Sequence, residues 1–229
     1  MSPPALLLVG HGTRDPEGVA EFHAFVELVR SRAEGSPVAG GFIELSPPPL
    51  LAAAAELVRG GAREIVVVPL MLLAARHTKN DVPALVARAR RAHPAVRFRD
   101  ARHLGTHPTV LGLLRERLAA AGAGTGTTVL LVGRGSSDPA ANADVFKLGR
   151  LLHEGSRHDG VEVCFAGITG PGIDEGLERC RRLGARRILV LPYLLFAGVL
   201  LRRIHRRAEA FARRTGVEVR VARHLGPDE

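Results

Sequence analysis

The sequence predicts an α/β protein made of two tandem copies of one domain, each with a four-stranded parallel sheet and helices on both faces. Three observations support this prediction. Short apolar runs alternate with segments of helical periodicity, which is typical of parallel sheets covered by helices. The alternation occurs twice along the 229 residues. A stretch rich in Gly and Ala, AGAGTG at residues 121–126, lies between the two copies and is typical of a flexible linker.

Three sequence segments recur in the same order. VGHGTRDP, beginning at Val9, recurs 123 residues later as VGRGSSDP, and GAREIVVVP, beginning at Gly61, recurs at the same offset as GARRILVLP. ARHLG, beginning at Ala101, recurs 121 residues later. Matches that stay nearly in register indicate a duplicated domain. We therefore predict domains at residues 1–121 and 127–229, joined by a linker at 122–126.

The elements of the first copy can be predicted in chain order. The continuous apolar run from Ala5 to Gly10 predicts a strand covered on both faces. Asp15 can cap a following helix, and Pro16 suits the first helical position. The remaining predicted elements are a strand over 38–45, a helix from the prolines at 47–49 to 59, a strand over 65–70, a helix over about 80–92, a strand over 96–101 and a helix over about 108–120. The second copy repeats this order.

Composition excludes several classes of protein. Charged residues interrupt every apolar run before it reaches the length of a membrane span, and the N-terminus lacks the features of a signal peptide. The two cysteines form no CxxC pair, so we expect no iron–sulfur cluster. The net charge of +9 raises the question of nucleic acid, but one Tyr and no Trp leave few stacking residues. We expect a cytoplasmic protein with no nucleic-acid or membrane partner; its oligomeric state stays open.

Candidate metal-binding residues follow three strands of the first copy. His11 ends the first predicted strand, Glu44 ends the second, and His77 lies in the loop after the third. In parallel sheets ligands bind beyond the carboxyl ends of the strands, so these side chains are expected at one crevice. Two imidazoles and a carboxylate suit a divalent first-row metal, and a histidine can also accept a proton.

The second copy provides an internal comparison. Arg134 stands where the first copy has His11, Leu200 stands where it has His77, and residues 167–171, which match the region of Glu44, contain no carboxylate. The glycines and the Asp-Pro pair of the first loop are present in both copies. This pattern predicts one active site, in the N-terminal half; drift at exposed loop positions is the alternative.

Together VGHGTRDP, GGFIEL, VVVPLML followed by ARHTKND, and HLGTHP resemble the class II chelatases, in particular the two-domain sirohydrochlorin chelatases. The resemblance implies two similar α/β domains facing each other across a cleft. It implies insertion of Fe²⁺ or Co²⁺ into sirohydrochlorin, for sirohaem or cobalamin, with nickel also possible. The metal is then a substrate, and no permanently bound cofactor is expected. The family's metal-handling histidines correspond to His11 and His77, and its acidic position on the second strand corresponds to Glu44.

The substrate implied by the resemblance is a tetrapyrrole with many carboxylates. Arg14, Arg76 and Lys79 neighbour the key histidines and could bind those carboxylates, as could Arg134 from the second domain. Each of the four is equally well explained as an ordinary surface cation. A non-catalytic carrier of metal or tetrapyrrole with the same fold is the alternative function.

Overall fold

The structure is a computed structural model and describes residues 3–73 and 81–227. The chain divides into two compact units, residues 1–104 with 227–229, and residues 105–226. Each unit has one four-stranded, fully parallel sheet with helices against both faces, which confirms the predicted fold class.

The first unit contains β1 (Ala5–Gly10), α1 (Pro16–Arg32), β2 (Val38–Phe42), α2 (Leu50–Arg59), β3 (Glu64–Pro69), α3 (Val82–Ala92) and β4 (Arg97–Asp100). Its strand order is β2-β1-β3-β4. The chain therefore leaves β1 toward one side of the sheet and leaves β3 toward the other. Open α/β sheets bind ligands at such a point, beyond the carboxyl ends of the two strands.

The core of the first unit lies mainly between the sheet and α2 and α3. Alternate residues of β1 and β3, including Leu7 and Val67, pack with Leu57 of α2 and Val86 of α3. On the opposite face α1 places Phe22 and Val26 so close to the strands that a Cβ on Gly40 would lie 2.4 Å from a methyl group of Val26. Small residues in β2 thus set how closely α1 packs.

The second unit contains α4 (Pro108–Ala120), β5 (Thr128–Gly133), α5 (Pro139–His153), β6 (Gly160–Phe165), α6 (Ile173–Arg182), β7 (Arg187–Pro192), α7 (Val199–Thr215) and β8 (Glu218–Val221). Its strand order, β6-β5-β7-β8, repeats that of the first unit. Its core is formed by β5, β6 and β7 with α6 and α7 on one face, where Leu130, Leu177, Val190 and Phe211 are buried.

Helix α4 belongs to the second unit, although the repeat places it at the end of the first copy. It packs against α5 and β7. Buried Arg117 donates from Nε to the His224 carbonyl (3.1 Å) and from Nη2 to the Leu225 carbonyl (2.7 Å). The hydroxyl of buried Tyr193 donates to the Gly105 carbonyl at 2.8 Å. The compact units therefore divide between residues 104 and 105, whereas the predicted linker at 122–126 marks the boundary of the repeat.

Two predicted element boundaries need correction. The second strand ends at Phe42, three residues before the predicted 45, and the following helix begins at Leu50. The intervening residues turn sharply, and Leu45 has a positive φ of 64°. Glu44 therefore lies in a turn beyond β2 and does not end the strand. No helix in the described part of the chain has the length and hydropathy needed to cross a membrane.

Candidate active site

His11 and Glu44 come together at the carboxyl edge of the first sheet. His11 directly follows β1, and Glu44 lies in the turn after the neighbouring β2. The amide of Glu44 donates to the His11 carbonyl at 3.1 Å, which continues the pairing of the two strands by one step. His11 Nε2 lies 3.6 Å from Glu44 Oε1. The two predicted site residues therefore face each other.

The contacts of the His11 ring indicate which of its two nitrogens can bind a metal ion. Nδ1 lies 3.1 Å from the carbonyl oxygen of Gly12, which can only accept a hydrogen bond. In this contact Nδ1 carries the proton, so Nε2 is the nitrogen that offers a lone pair on the side of Glu44. A backbone carbonyl on the other ring nitrogen commonly orients a metal-binding histidine.

The separation of His11 from Glu44 suits two ligands of one metal ion. Imidazole and carboxylate bonds of about 2.1 Å in a tetrahedral site place the two donor atoms about 3.4 Å apart. The observed distance is 3.6 Å. The ring of His11 is about one quarter exposed and the carboxylate of Glu44 about one half, whereas the Nε2 atom of His11 is buried beneath them. An incoming ion therefore meets the Glu44 carboxylate before it reaches Nε2.

Gly12 permits the close approach of the two loops. Its φ is +100°, and a Cβ at this position would lie 1.7 Å from the Glu44 carbonyl oxygen. The second unit repeats this arrangement: Gly135 has a φ of +88°, and its Cβ would lie 2.0 Å from the Gly167 carbonyl oxygen. Glycine is needed at both places by backbone conformation and by space.

Hydrogen bonds hold the loop after β1 in place. The Ser46 hydroxyl donates to the Thr13 carbonyl (2.6 Å) and accepts from the Thr13 amide (3.0 Å). Asp15 caps α1, as predicted, by accepting from the amide of Glu17 at 3.2 Å. The loop of His11 is thus fastened on one side to the turn after β2 and on the other to α1.

The second unit keeps this scaffold and lacks the two facing side chains. Arg134 occupies the position of His11, and Gly167 that of Glu44; the Gly167 amide donates to the Arg134 carbonyl at 3.1 Å, as Glu44 does to His11. Asp138 caps α5 in the same way as Asp15 caps α1. The pairing of positions inferred from the repeat is confirmed by this hydrogen-bond register.

Only two of the other predicted site residues lie in the part of the chain that the structure describes. Arg14 and Arg134 are exposed, each in the loop after the first strand of its unit. His77, Arg76 and Lys79 lie outside the described residues, so their roles stay predictions. Within residues 3–73 and 81–227, no three His, Cys, Asp or Glu side chains are grouped closely enough to hold a metal ion.

His107 is a helix cap. Its Nδ1 accepts a hydrogen bond from the amide of Thr109 at 3.2 Å, at the start of α4. Its position directly before Pro108 is that of a capping residue. The features that sequence reasoning missed are Ser46 and the exposed Leu45. The offset of 123 residues pairs Leu45 with Ile168, another large aliphatic residue, and this was the available signal.

The model of the CbiX family matches residues 5–121 and again 128–229. The chain belongs to the CbiX family. The two matches cover nearly the whole chain and correspond to the two copies of the repeat.

Several CbiX relatives are similar over most of their length. The chain is 38% identical over 229 residues to a sirohydrochlorin cobaltochelatase of Priestia megaterium, covering 97% of this chain and 74% of the relative. It is 32% identical over 206 residues to a sirohydrochlorin ferrochelatase of Bacillus subtilis strain 168, covering 90% and 79%. The names of these two relatives differ in the metal inserted, which is cobalt for the first and iron for the second.

Solved structures agree with the fold. SirB from Bacillus subtilis with Fe³⁺ superimposes with a TM-score of 0.87 at 31% identity, covering 97% of this chain and 88% of that chain. The sirohydrochlorin chelatase SirB from Bacillus subtilis subspecies spizizenii in complex with cobalt gives a TM-score of 0.83 at 30% identity, with the same coverage.

Proposed function

We propose that this CbiX protein inserts a divalent metal, Fe²⁺ or Co²⁺, into sirohydrochlorin. The observation that carries the proposal is the facing pair of His11 and Glu44 on the first sheet, 3.6 Å apart, at positions where the second unit has Arg134 and Gly167. The identity of the tetrapyrrole substrate is inferred from the names of the CbiX relatives, which are sirohydrochlorin chelatases.

The reaction requires a site that can deliver a cation and remove protons. As the metal enters the macrocycle, two pyrrolic N–H bonds break, four nitrogens bind the ion, and two protons leave. We assign delivery of the metal to Nε2 of His11, because Nδ1 is engaged with the Gly12 carbonyl. We place His77 as the second histidine of this site, on the resemblance alone.

Glu44 is the proposed proton acceptor beside His11. A half-exposed carboxylate within 3.6 Å of the imidazole can take a proton and release it to water. Its negative charge also attracts the incoming cation. We propose Arg14, Arg76, Lys79 and Arg134 as cations for the substrate's carboxylates.

The test is anaerobic metal insertion followed by absorbance, with sirohydrochlorin and each of Fe²⁺, Co²⁺ and Ni²⁺. We expect the protein to raise the rate above the spontaneous one over many turnovers. His11→Ala should lose at least about 100-fold in rate, since it removes the delivering nitrogen. His205→Ala is the matched control, because His205 is exposed on α7.

Two results would count against this proposal. If His11→Ala inserts metal at the rate of the wild-type protein, His11 does not deliver the metal. Binding of sirohydrochlorin or metal by the wild-type protein without repeated turnover would favour the carrier alternative.

A further inference from the structure

Both units contain the same strained turn with an exposed aliphatic side chain at its centre. The Ser46 amide donates to the Glu44 carbonyl across Leu45, and the Thr169 amide donates to the Gly167 carbonyl across Ile168, each at 2.8 Å. The central residues have φ of 64° and 68°. A hydrogen bond between residues i and i+2 with positive φ between them marks the rare, strained form of the γ-turn.

Neither fold stability nor the metal chemistry explains Ile168. A β-branched residue is unfavourable at positive φ, whereas glycine would fit this turn without strain. The side chain is 66% exposed, so it gains little from burial. The second unit also has Arg134 and Gly167 in place of the facing pair. When an apolar residue is both strained and exposed, and burial adds little stability to offset the strain, a contact with a ligand is indicated.

A pocket of about 470 Å³ opens beside Ile168, entirely within the second unit. Helix α5 contributes residues at helical spacing, ending with Phe146, which is 47% exposed and packs edge-on against Phe165. Hydroxyls and an amide lie among the apolar groups. The lining residues are Ser136, Ser137, Pro139, Asn142, Ala143, Phe146, Ile168 and Thr169.

The two units fasten the loop after their first strand differently, and in the second unit this loop lines the pocket. In the first unit the Ser46 hydroxyl joins the turn after β2 to the Thr13 backbone. In the second unit the matching backbone, that of Ser136, is held by Asn142 of α5, whose Oδ1 accepts from the Ser136 amide (2.9 Å) and whose Nδ2 donates to its carbonyl (2.8 Å). The turn of Ile168 and the loop of Ser136 both line the pocket.

We infer that this pocket binds one carboxyalkyl arm of the tetrapyrrole. The methylene groups of the arm pack against Phe146 and Ile168, and its carboxylate accepts hydrogen bonds from the hydroxyls of Ser137 and Thr169. Exposed cations stand beside the lining residues in the chain: Arg134 follows β5, and Lys147 follows Phe146. Asp138 and Asp144 also neighbour lining residues, so we assign recognition of the carboxylate to the hydroxyls of the lining, with these two cations as further contributors. The inference rests on the proposed function for its ligand.

Two substitutions test the pocket without disturbing the first unit. Ile168→Gly removes the apolar contact and suits the left-handed backbone, so the protein should be as stable as the wild type. Thr169→Val removes a hydroxyl and keeps the shape. We expect each to raise the Kd for metal-free sirohydrochlorin, followed anaerobically by absorbance, at least about fivefold. The KM should rise with it, while kcat changes little. Leu183→Ala is the control, because Leu183 is 71% exposed at the end of α6, outside the pocket.

The outcomes separate this inference from the proposed function. If the wild-type protein inserts metal while Ile168→Gly and Thr169→Val bind sirohydrochlorin with the wild-type Kd, the pocket is not a substrate site and the function stands. An equal loss of affinity in Leu183→Ala would show a general surface effect and would also overturn the inference. A wild-type protein that neither binds nor metallates sirohydrochlorin overturns both.

Discussion

At the scale of single residues, Gly12 controls how His11 meets Glu44. The backbone of the turn after β2 passes so close to Gly12 that its hydrogen atoms are the only substituents that fit. The distance between the imidazole and the carboxylate therefore depends on the absence of a side chain one position away. Gly61 offers a comparison, since it has a similar φ of +90° with nothing within 4 Å of its would-be Cβ.

Gly12→Ala should be far more harmful than Gly61→Ala. Both substitutions force alanine into a left-handed conformation, at about 1–2 kcal/mol. Only Gly12→Ala adds a collision with the Glu44 carbonyl, so we expect a further loss of about 1–3 kcal/mol and a large drop in metal insertion. Urea unfolding and the insertion assay measure the two effects. Equal stability of the two variants would show that the turn moves away without penalty.

His158 is a buried histidine outside the candidate site. It precedes β6, and its ring centroid lies 6.1 Å from that of His153. Burial lowers the pKa of His158 below its ordinary value of 6.5, and His153 lowers it further, while backbone hydrogen bonds and Asp159 oppose the shift. The folded protein therefore keeps His158 neutral at a pH where the unfolded chain already binds a proton.

His158 should make the protein less stable in weak acid. As the pH falls below about 6.5, the unfolded state gains a proton first, so the free energy of unfolding decreases until the folded pKa is passed. We expect the urea midpoint of the wild type to fall more steeply between pH 7.5 and 5.5 than that of His158→Gln. His205→Gln, at an exposed histidine of α7, should keep the wild-type slope. Parallel slopes for all three proteins would refute the assignment.

At the scale of elements, the position of α4 distinguishes the two sheets. Leu189 and Leu191 of β7 point away from the core formed with α6 and α7, and α4 packs against β7 on that side. Both leucines are buried. The matching residues of β3, Val66 and Val68, are only half-buried. The helix that the repeat assigns to the first copy thus completes the second sheet.

Arg117 anchors α4 to the end of the second unit. Its guanidinium is buried and donates to two backbone carbonyls. Arg117→Ala should cost about 2–4 kcal/mol, because it removes two charge-assisted hydrogen bonds and leaves both carbonyls without this donor. Arg115→Ala is the control, since exposed Arg115 makes one bond, to the Leu151 carbonyl. Urea unfolding decides the matter, and equal losses for both variants would show that α4 does not depend on this anchor.

Elements defined by local signals were predicted well from sequence. The apolar run of β1, the cap at Asp15 and the bounds of α4 all agree with the structure. The unit to which α4 belongs could not be predicted, because its apolar face is compatible with either sheet and contacts distant in sequence decide. The γ-turns at Leu45 and Ile168 could not be predicted for another reason, since large aliphatic residues rarely adopt a positive φ and no local pattern marks the places where they do.

The candidate site residues could be chosen from the sequence, whereas the distances and contacts of His11 and Glu44 required the structure. His11 and Glu44 could be paired because parallel strands end at one edge of a sheet. The choice of Nε2 as the donor depends on a carbonyl contact of the Gly12 backbone, which no side-chain pattern encodes. His77 stays a prediction from the motif.

At the scale of the whole molecule, we propose that the two copies of the domain perform different tasks. Each unit keeps the parallel sheet, the glycine after its first strand and the capped helix. The first unit has the facing histidine and carboxylate; the second has a pocket and an exposed arginine at the same edge. One copy of a duplicated fold can therefore lose its reactive residues and keep a surface that we assign to substrate binding.

The second unit should fold by itself only when α4 is included. A fragment of residues 105–229 keeps Arg117 and the cover over Leu189 and Leu191, whereas a fragment of residues 122–229 exposes both leucines to water. Burial of two leucine side chains contributes about 3–6 kcal/mol, an amount comparable with the whole stability of a small domain. We therefore expect cooperative urea unfolding and a dispersed amide NMR spectrum for 105–229, and a broad transition for 122–229. The longer fragment should fail to insert metal, because it lacks His11, Glu44 and His77.

If 122–229 unfolds with the same midpoint and cooperativity as 105–229, α4 is not part of the folding unit and the boundary of the repeat is also the boundary of the domain. Metal insertion by the 105–229 fragment alone would show instead that the second copy has a catalytic site of its own.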